Sequence, residues 1–142
     1  VGKLFSVFAG VFLLAQSQAF AAEIAGMWLV RDGSAKVKIV NCGGAMCGTI
    51  AWINDPIDPD TGKPWLDKHN ANAAQKNRPL VGVMVARNMK RDDSGNKWSG
   101  QVYSVDHGRS VNGSLTLVSA NRLKIEGCML MICESEIWTR SE

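Results

Sequence analysis

Long hydrophobic runs are scarce in this sequence, and so is charge of one sign. Sixteen lysines and arginines stand against thirteen acids in 142 residues, a net charge of +3. That excess is far from the basic footprint of a nucleic-acid-binding protein, so no nucleic-acid partner is expected. Charged residues make up 20% and hydrophobic residues 46%, which excludes a disordered tail, a collagen-like chain and a coiled coil. The length suits one domain and not two. A nucleophile elbow, a phosphate loop and a zinc-binding helix motif are all missing. Cysteines number only four, but the count is even.

The one sustained apolar run comes first. Lys3 precedes Leu4 to Ala15. Twelve helical residues reach about 18 Å, short of the roughly 30 Å of a bilayer core. Polar Gln16-Ser17-Gln18 and small Ala19 and Ala21 follow, which fits a signal peptide over 1–21 cleaved after Ala21. The alternatives are an uncleaved anchor or a buried first helix. Cleavage leaves a single mature domain, 22–142, in the periplasm or secreted. No later stretch approaches 18 consecutive apolar residues, so no transmembrane segment is expected after processing.

The remainder reads as short alternating or β-branched runs punctuated by turn residues. Eight strands are expected, at 26–31, 35–41, 48–53, 80–87, 98–105, 110–118, 122–127 and 134–140. Most links are short, which makes neighbours antiparallel. An all-β, eight-stranded antiparallel up-and-down barrel fits this pattern and removes exposed edges. An open sandwich is its competitor. The exception is the loop 54–79, which holds Pro56, Pro59, Pro64 and Pro79. A loop this long is usually functional or disordered. Asn70 to Asn77 suits one or two helical turns, capped by Asn70 or Asn72.

Cys42 and Cys47 flank one hairpin, and Cys128 and Cys133 another. Residues opposed across a hairpin lie within disulfide reach. Alternate hairpins of an up-and-down barrel emerge at opposite ends, so cross-pairing would span the barrel. The expected bridges are Cys42–Cys47 and Cys128–Cys133, in keeping with an oxidising compartment. A four-cysteine zinc site conflicts with the same geometry.

The same counting gathers the Asp32-Gly33 turn, the long loop, the Asp106-His107-Gly108 turn and the tip Met129-Leu130-Met131-Ile132 at one end. This is the expected ligand entrance. The apolar tip either borders it or packs beneath the long loop as a plug. Trp65 is the tryptophan suspected of covering a pocket. Polar candidates at this end are Asp67, His69, Asn70, Arg78, Tyr103, Asp106, His107 and Arg109. Asp67, Tyr103, Asp106 and His107 are residue types suited to acid–base work, although turn, cap and solvated-charge roles are the more ordinary ones. Asp58 to Gly62 hints at calcium but puts Gly62 and His69 where a calcium loop needs ligands. No metal or cofactor is expected.

Several strings, in this order, resemble the bacterial domain-of-unknown-function 2147 family of small exported proteins. They are Gly26-Met27-Trp28, Asp32-Gly33, Cys42, Cys47-Gly48-Thr49-Ile50-Ala51-Trp52, Asp60-x-Gly62-x-Pro64 and Asp67-x-x-Asn70. Arg78-Pro79-Leu80-x-Gly82, Trp98-x-Gly100-x-x-Tyr103, Asp106-x-Gly108, Gly127-Cys128, Cys133 and Trp138-Thr139-Arg140 complete the series. Val105 and Val111 stand where the family often has a proline and an aromatic residue. The resemblance implies a lipocalin-like or calycin-like barrel of unestablished activity. It also implies that Arg140 of the last strand stacks over Trp28 of the first and closes the barrel.

Three functions compete. The favoured one is an exported binding protein for a small, partly apolar molecule of unknown identity. It would enter beside Trp65, Met129, Leu130 and Met131. The first alternative is a cell-envelope interaction module that docks a partner through the apolar tip. The second is an enzyme in which Asp67, Asn70, Arg78, Tyr103 and Asp106 converge.

Overall fold

The computed structural model describes Gly2, Val11 and residues 24–142; the expected signal peptide, 1–21, lies outside the described residues apart from those two. The strands are β1 (Gly26–Leu29), β2 (Ala35–Asn41), β3 (Met46–Ile53), β4 (Ile57–Asp58), β5 (Lys63–Pro64), β6 (Met84–Arg91), β7 (Lys97–Ser104), β8 (Arg109–Ser119), β9 (Arg122–Met129) and β10 (Ile132–Ser141). Eight of them close a barrel in the order β1-β10-β9-β8-β7-β6-β3-β2. Every neighbouring pair is antiparallel. The expected up-and-down barrel is therefore the fold. The long loop adds the small β4–β5 hairpin and one 3-10 turn, Ala73–Gln75, capped by the Asn72 side chain.

Closure is local to two residues. Trp28 of β1 pairs in register with Arg140 of β10. The Arg140 guanidinium lies 4.3 Å from the Trp28 ring. It also donates to the carbonyls of Ala25 and Ala120, at 3.0 and 2.9 Å. Trp28 is fully buried, and its indole donates to the Ile24 carbonyl at 2.9 Å. First and last strands are thus joined by backbone pairing, an apolar ring and a cation at one point.

Strand alternation sends one residue in two inward. Trp98, Leu115, Leu123, Met89 and Ile39 fill the end that carries the β2–β3, β6–β7 and β8–β9 turns. The other end carries the 30–34 turn, the long loop, the 104–109 turn and the β9–β10 tip. Cys42–Cys47 and Cys128–Cys133 are both bridged, at the closed and open ends respectively. Four thiolates do not meet at one point, which removes the zinc alternative.

Most strand boundaries fall within two residues of the expectation, and the fourth barrel strand differs most. The fourth barrel strand starts at Met84 rather than at Leu80, and runs on to Arg91. Leu80 to Val83 forms a turn, in which the Val83 N–H donates to the Leu80 carbonyl at 3.0 Å. Gly82 supplies it with φ +100°, a conformation that an apolar run does not advertise. At the far end, Asn88 adopts φ +52° within an irregularity of the β6–β7 ladder. The strand recovers and buries Met89 completely, so the polar Arg87-Asn88 pair that reads as a strand end is interior to the strand.

Replacing Arg140 by Ala removes the ring contact and two charge-assisted hydrogen bonds. We expect a loss of about 2–4 kcal/mol in denaturant unfolding, from the ordinary worth of such contacts. Arg140→Lys recovers only part of it, because an ammonium has no planar fork to stack and donate together.

Candidate functional site

The loop 54–79 is ordered by its own polar side chains. Asp58 closes a turn by accepting the N–H groups of Asp60 on its side chain and Gly62 on its carbonyl. This is the segment that hinted at calcium. Trp65 donates from its indole to the Asp55 carbonyl at 2.8 Å, with the Lys68 ammonium 5.1 Å from its ring. Leu66 bridges to Pro79, and the Asp67 N–H donates to the Arg78 carbonyl at 2.9 Å, so the loop doubles back on itself.

Asp67 is the hub. It is fully buried. Its carboxylate accepts from Asn70 Nδ2 at 2.8 Å, Arg78 Nε at 2.8 Å and the Tyr103 hydroxyl at 2.7 Å. The Arg78 guanidinium stands 5.5 Å from the Tyr103 ring. Tyr103 belongs to β7, so this network ties the loop to the barrel wall. A second tie is backbone: Ala71 N–H donates to the Gly108 carbonyl at 2.8 Å. Gly108 has φ +67°, and a Cβ there would fall 1.6 Å from the His69 carbonyl oxygen. Only glycine lets the 104–109 turn approach the loop this closely.

The electrostatics follow from this packing. Burial pushes the Asp67 carboxyl up, but the hydrogen bonds from Asn70, Tyr103 and Arg78, with the charge of Arg78, outweigh it and hold the group below the usual carboxylate range. Burial and the neighbouring carboxylate push the Tyr103 phenol above its ordinary value. Asp67 is therefore an ionised acceptor with both oxygens engaged. To act as a base it would first have to break the loop's anchor.

The other sequence candidates lie elsewhere. A cavity of about 1350 Å³ occupies the open end of the barrel. Trp65, Tyr103, Asp106, Met129 and Leu130 line it; Asp67, Asn70 and Arg78 do not. Asp106 is exposed and makes no side-chain hydrogen bond with Asp67, Asn70, Arg78 or Tyr103 among the described residues, so the five residues of the enzyme reading do not form one network. Its neighbour His107 bonds through Nδ1 with the Ser104 hydroxyl at 2.9 Å, inside the hairpin turn. Asn70 and Arg78 line a second, polar cavity of about 290 Å³, which has Val85, Tyr103 and Arg109 in common with the first. One expected mouth site is two adjoining cavities.

The apolar tip is not a plug. Leu130 and Met131 are 97% and 98% exposed, and Ile132 is 74% exposed. Met129 and Ile132 turn toward the cavity rim while Met131 projects away from it. A plug would need these side chains under the long loop; the disulfide-linked hairpin instead carries them past the rim.

Sequence reasoning missed the inner wall. Val37, Ile50, Val102, Ile125 and Trp138 form its apolar part, with Glu134 and Glu136 among them. The Trp138 indole donates to the Glu136 carboxylate. Parity carried the signal: positions 134, 136 and 138 share one face of β10, and Trp138 marks that face as inward.

A family model described as an uncharacterized protein conserved in bacteria (DUF2147) matches residues 26–140. No curated protein matches the chain. Among solved structures, it is similar to a protein from the human pathogen Helicobacter pylori reported to belong to the lipocalin family. The two are 17% identical with a TM-score of 0.67, over 83% of this chain and 82% of that one.

The depressed Asp67 group makes stability depend on pH with a defined sign. Its contribution is present above the unfolded carboxylate value of about 3.9 and is lost as pH falls through the lower folded value. Asp67→Asn should destabilise by about 1–3 kcal/mol at neutral pH and flatten the acid limb of the stability–pH curve. Urea unfolding of both proteins between pH 7 and pH 2 measures this.

Proposed function

The chain belongs to the bacterial DUF2147 family and has a lipocalin-like barrel, and from that premise we propose that it is an exported binding protein that holds one small, partly apolar molecule in the barrel. The carrying observation is the cavity of about 1350 Å³ at the open end. Eight strands leave an interior that is either filled by side chains or holds one small ligand. Here the inward Val37, Val102, Val111 and Gly127 are too small to meet across the barrel's open half. Apolar walls with a few polar groups are the usual composition of a ligand site. The carboxylates of Glu134 and Glu136 and the rim residue Asp106 supply the polar part, which is why the cargo is expected to be only partly apolar.

Export rests on the sequence of residues 1–21, with cleavage after Ala21 leaving 22–142 as the mature domain. Two disulfides suit the periplasm or the outside of the cell. No helix among the described residues is long and apolar enough to cross a membrane.

A second reading draws on a separate observation. The exposed Leu130, Met131 and Ile132 are large apolar side chains left in water beside the cavity mouth. They support an envelope-interaction role for the tip, alongside or in place of cargo binding.

Native mass spectrometry of protein purified from the periplasm tests the first reading. The expected result is a non-covalent adduct of small-molecule mass, lost in Val111→Trp, whose far-UV circular dichroism stays that of the barrel. An adduct-free spectrum, or an adduct equally retained in Val111→Trp, would contradict it.

A further inference from the structure

The polar cavity of about 290 Å³ is lined by the 3-10 segment of the long loop together with residues of β6, β7 and β8. Three arginines line it: Arg78 from the loop, Arg87 from β6 and Arg109 from β8. No carboxylate lines it among the described residues. Asp67, the acid nearest in the network, is sealed behind the cavity with both oxygens taken by Asn70, Arg78 and Tyr103. Arg78 spends only Nε on Asp67. Arg87 and Arg109 make no ion pair or side-chain hydrogen bond among the described residues.

Neutral donors face the same space. The Asn72 side-chain oxygen is used on the Ala74 N–H and the Gln75 oxygen on Asn70, which leaves both amide NH₂ groups to donate. Ser110 adds a hydroxyl. The walls are held rigidly by the Asp67 network and by the close backbone approach at Gly108, so the donors are in place before any ligand arrives.

We propose that this cavity is a binding site for a small molecule bearing an oxyanion, a phosphate or a carboxylate, adjoining the barrel cargo site but distinct from it in Arg78, Arg87, Asn72 and Gln75. Guanidinium forks match both groups bidentately. Cations gathered around one cavity repel each other, and an anion between them relieves that repulsion. The cavity is about ten water volumes at ~30 Å³ each, room for a small anion. Inorganic phosphate and succinate stand for the two sources of the charge.

Two-dimensional amide NMR of the mature protein, titrated with each anion against chloride at constant ionic strength, reads the site. The expected result is saturable shifts for at least one of them at Asn72, Gln75, Arg87 and Ser110. Arg87→Gln, which alters only this cavity, should weaken binding at least tenfold, while Glu134→Gln in the barrel cavity leaves it unchanged. Saturation by phosphate alone assigns a phosphate-bearing ligand, and by succinate alone an organic acid; either supports the site. Shifts that fail to saturate with both anions would overturn it. So would equal affinity in Arg87→Gln with the amide spectrum otherwise intact, or shifts confined to barrel-lining residues such as Val111 and Ile125.

Discussion

Everything in this molecule depends on joining the first strand to the last. β1 is only four residues long, Gly26–Leu29, yet it must pair with β2 on one side and β10 on the other. A strand that short contributes few ladder hydrogen bonds, so side chains carry much of the closure. Trp28 gives it apolar area at zero exposure, and Arg140 covers the ring at 4.3 Å while binding two carbonyls. Without the β1–β10 joint the sheet would have two unpaired edges, and an open sheet has no inside. The cavity, its lining and its mouth exist only because the sheet is closed.

Once it is closed, side-chain size divides the interior. Tryptophans, methionines and leucines fill the end near the β2–β3, β6–β7 and β8–β9 turns, where Trp98, Met89, Leu115 and Leu123 are buried. Valines and glycine lie toward the other end, where the same barrel width is left partly empty. The long loop belongs to that open end but does not fill it. Asp67 holds it against Tyr103 on the wall, and Gly108 lets the neighbouring turn close on its backbone. Burying a carboxylate is costly unless its charge is fully met, and here three donors meet it. The polar network is best understood as an anchor for the loop, and the space it leaves beside Arg78 as a second cavity.

Much of the fold was legible because its signals are local. Alternation at 35–41, the Asp-Gly turn after Trp28 and the paired cysteines at equal spacing each act within a few residues, and together they imply an antiparallel barrel. The start of β6 was not legible, because Val81-Gly82-Val83 is apolar in either conformation and only the backbone at Gly82 decides. The site was half legible. Asp67, Asn70, Arg78 and Tyr103 do meet, since loop order and strand end brought them to one side of the barrel. Asp106 belongs to the same end but lines the cavity mouth, a distinction that strand counting cannot make. Glu134 and Glu136 carry no cue of their own, and only their shared parity with the inward Trp138 points them at the cavity wall.

The central claim is that the open half of the barrel is vacant space for cargo rather than packed core. A high-resolution crystal structure of the protein isolated from its native compartment, without unfolding, tests it most directly. The account predicts continuous non-protein density against Val37, Ile125 and Trp138, with Trp65 and Met129 at its outer edge. A barrel whose valines and Glu136 have collapsed across the interior, leaving no room for more than water, would contradict it.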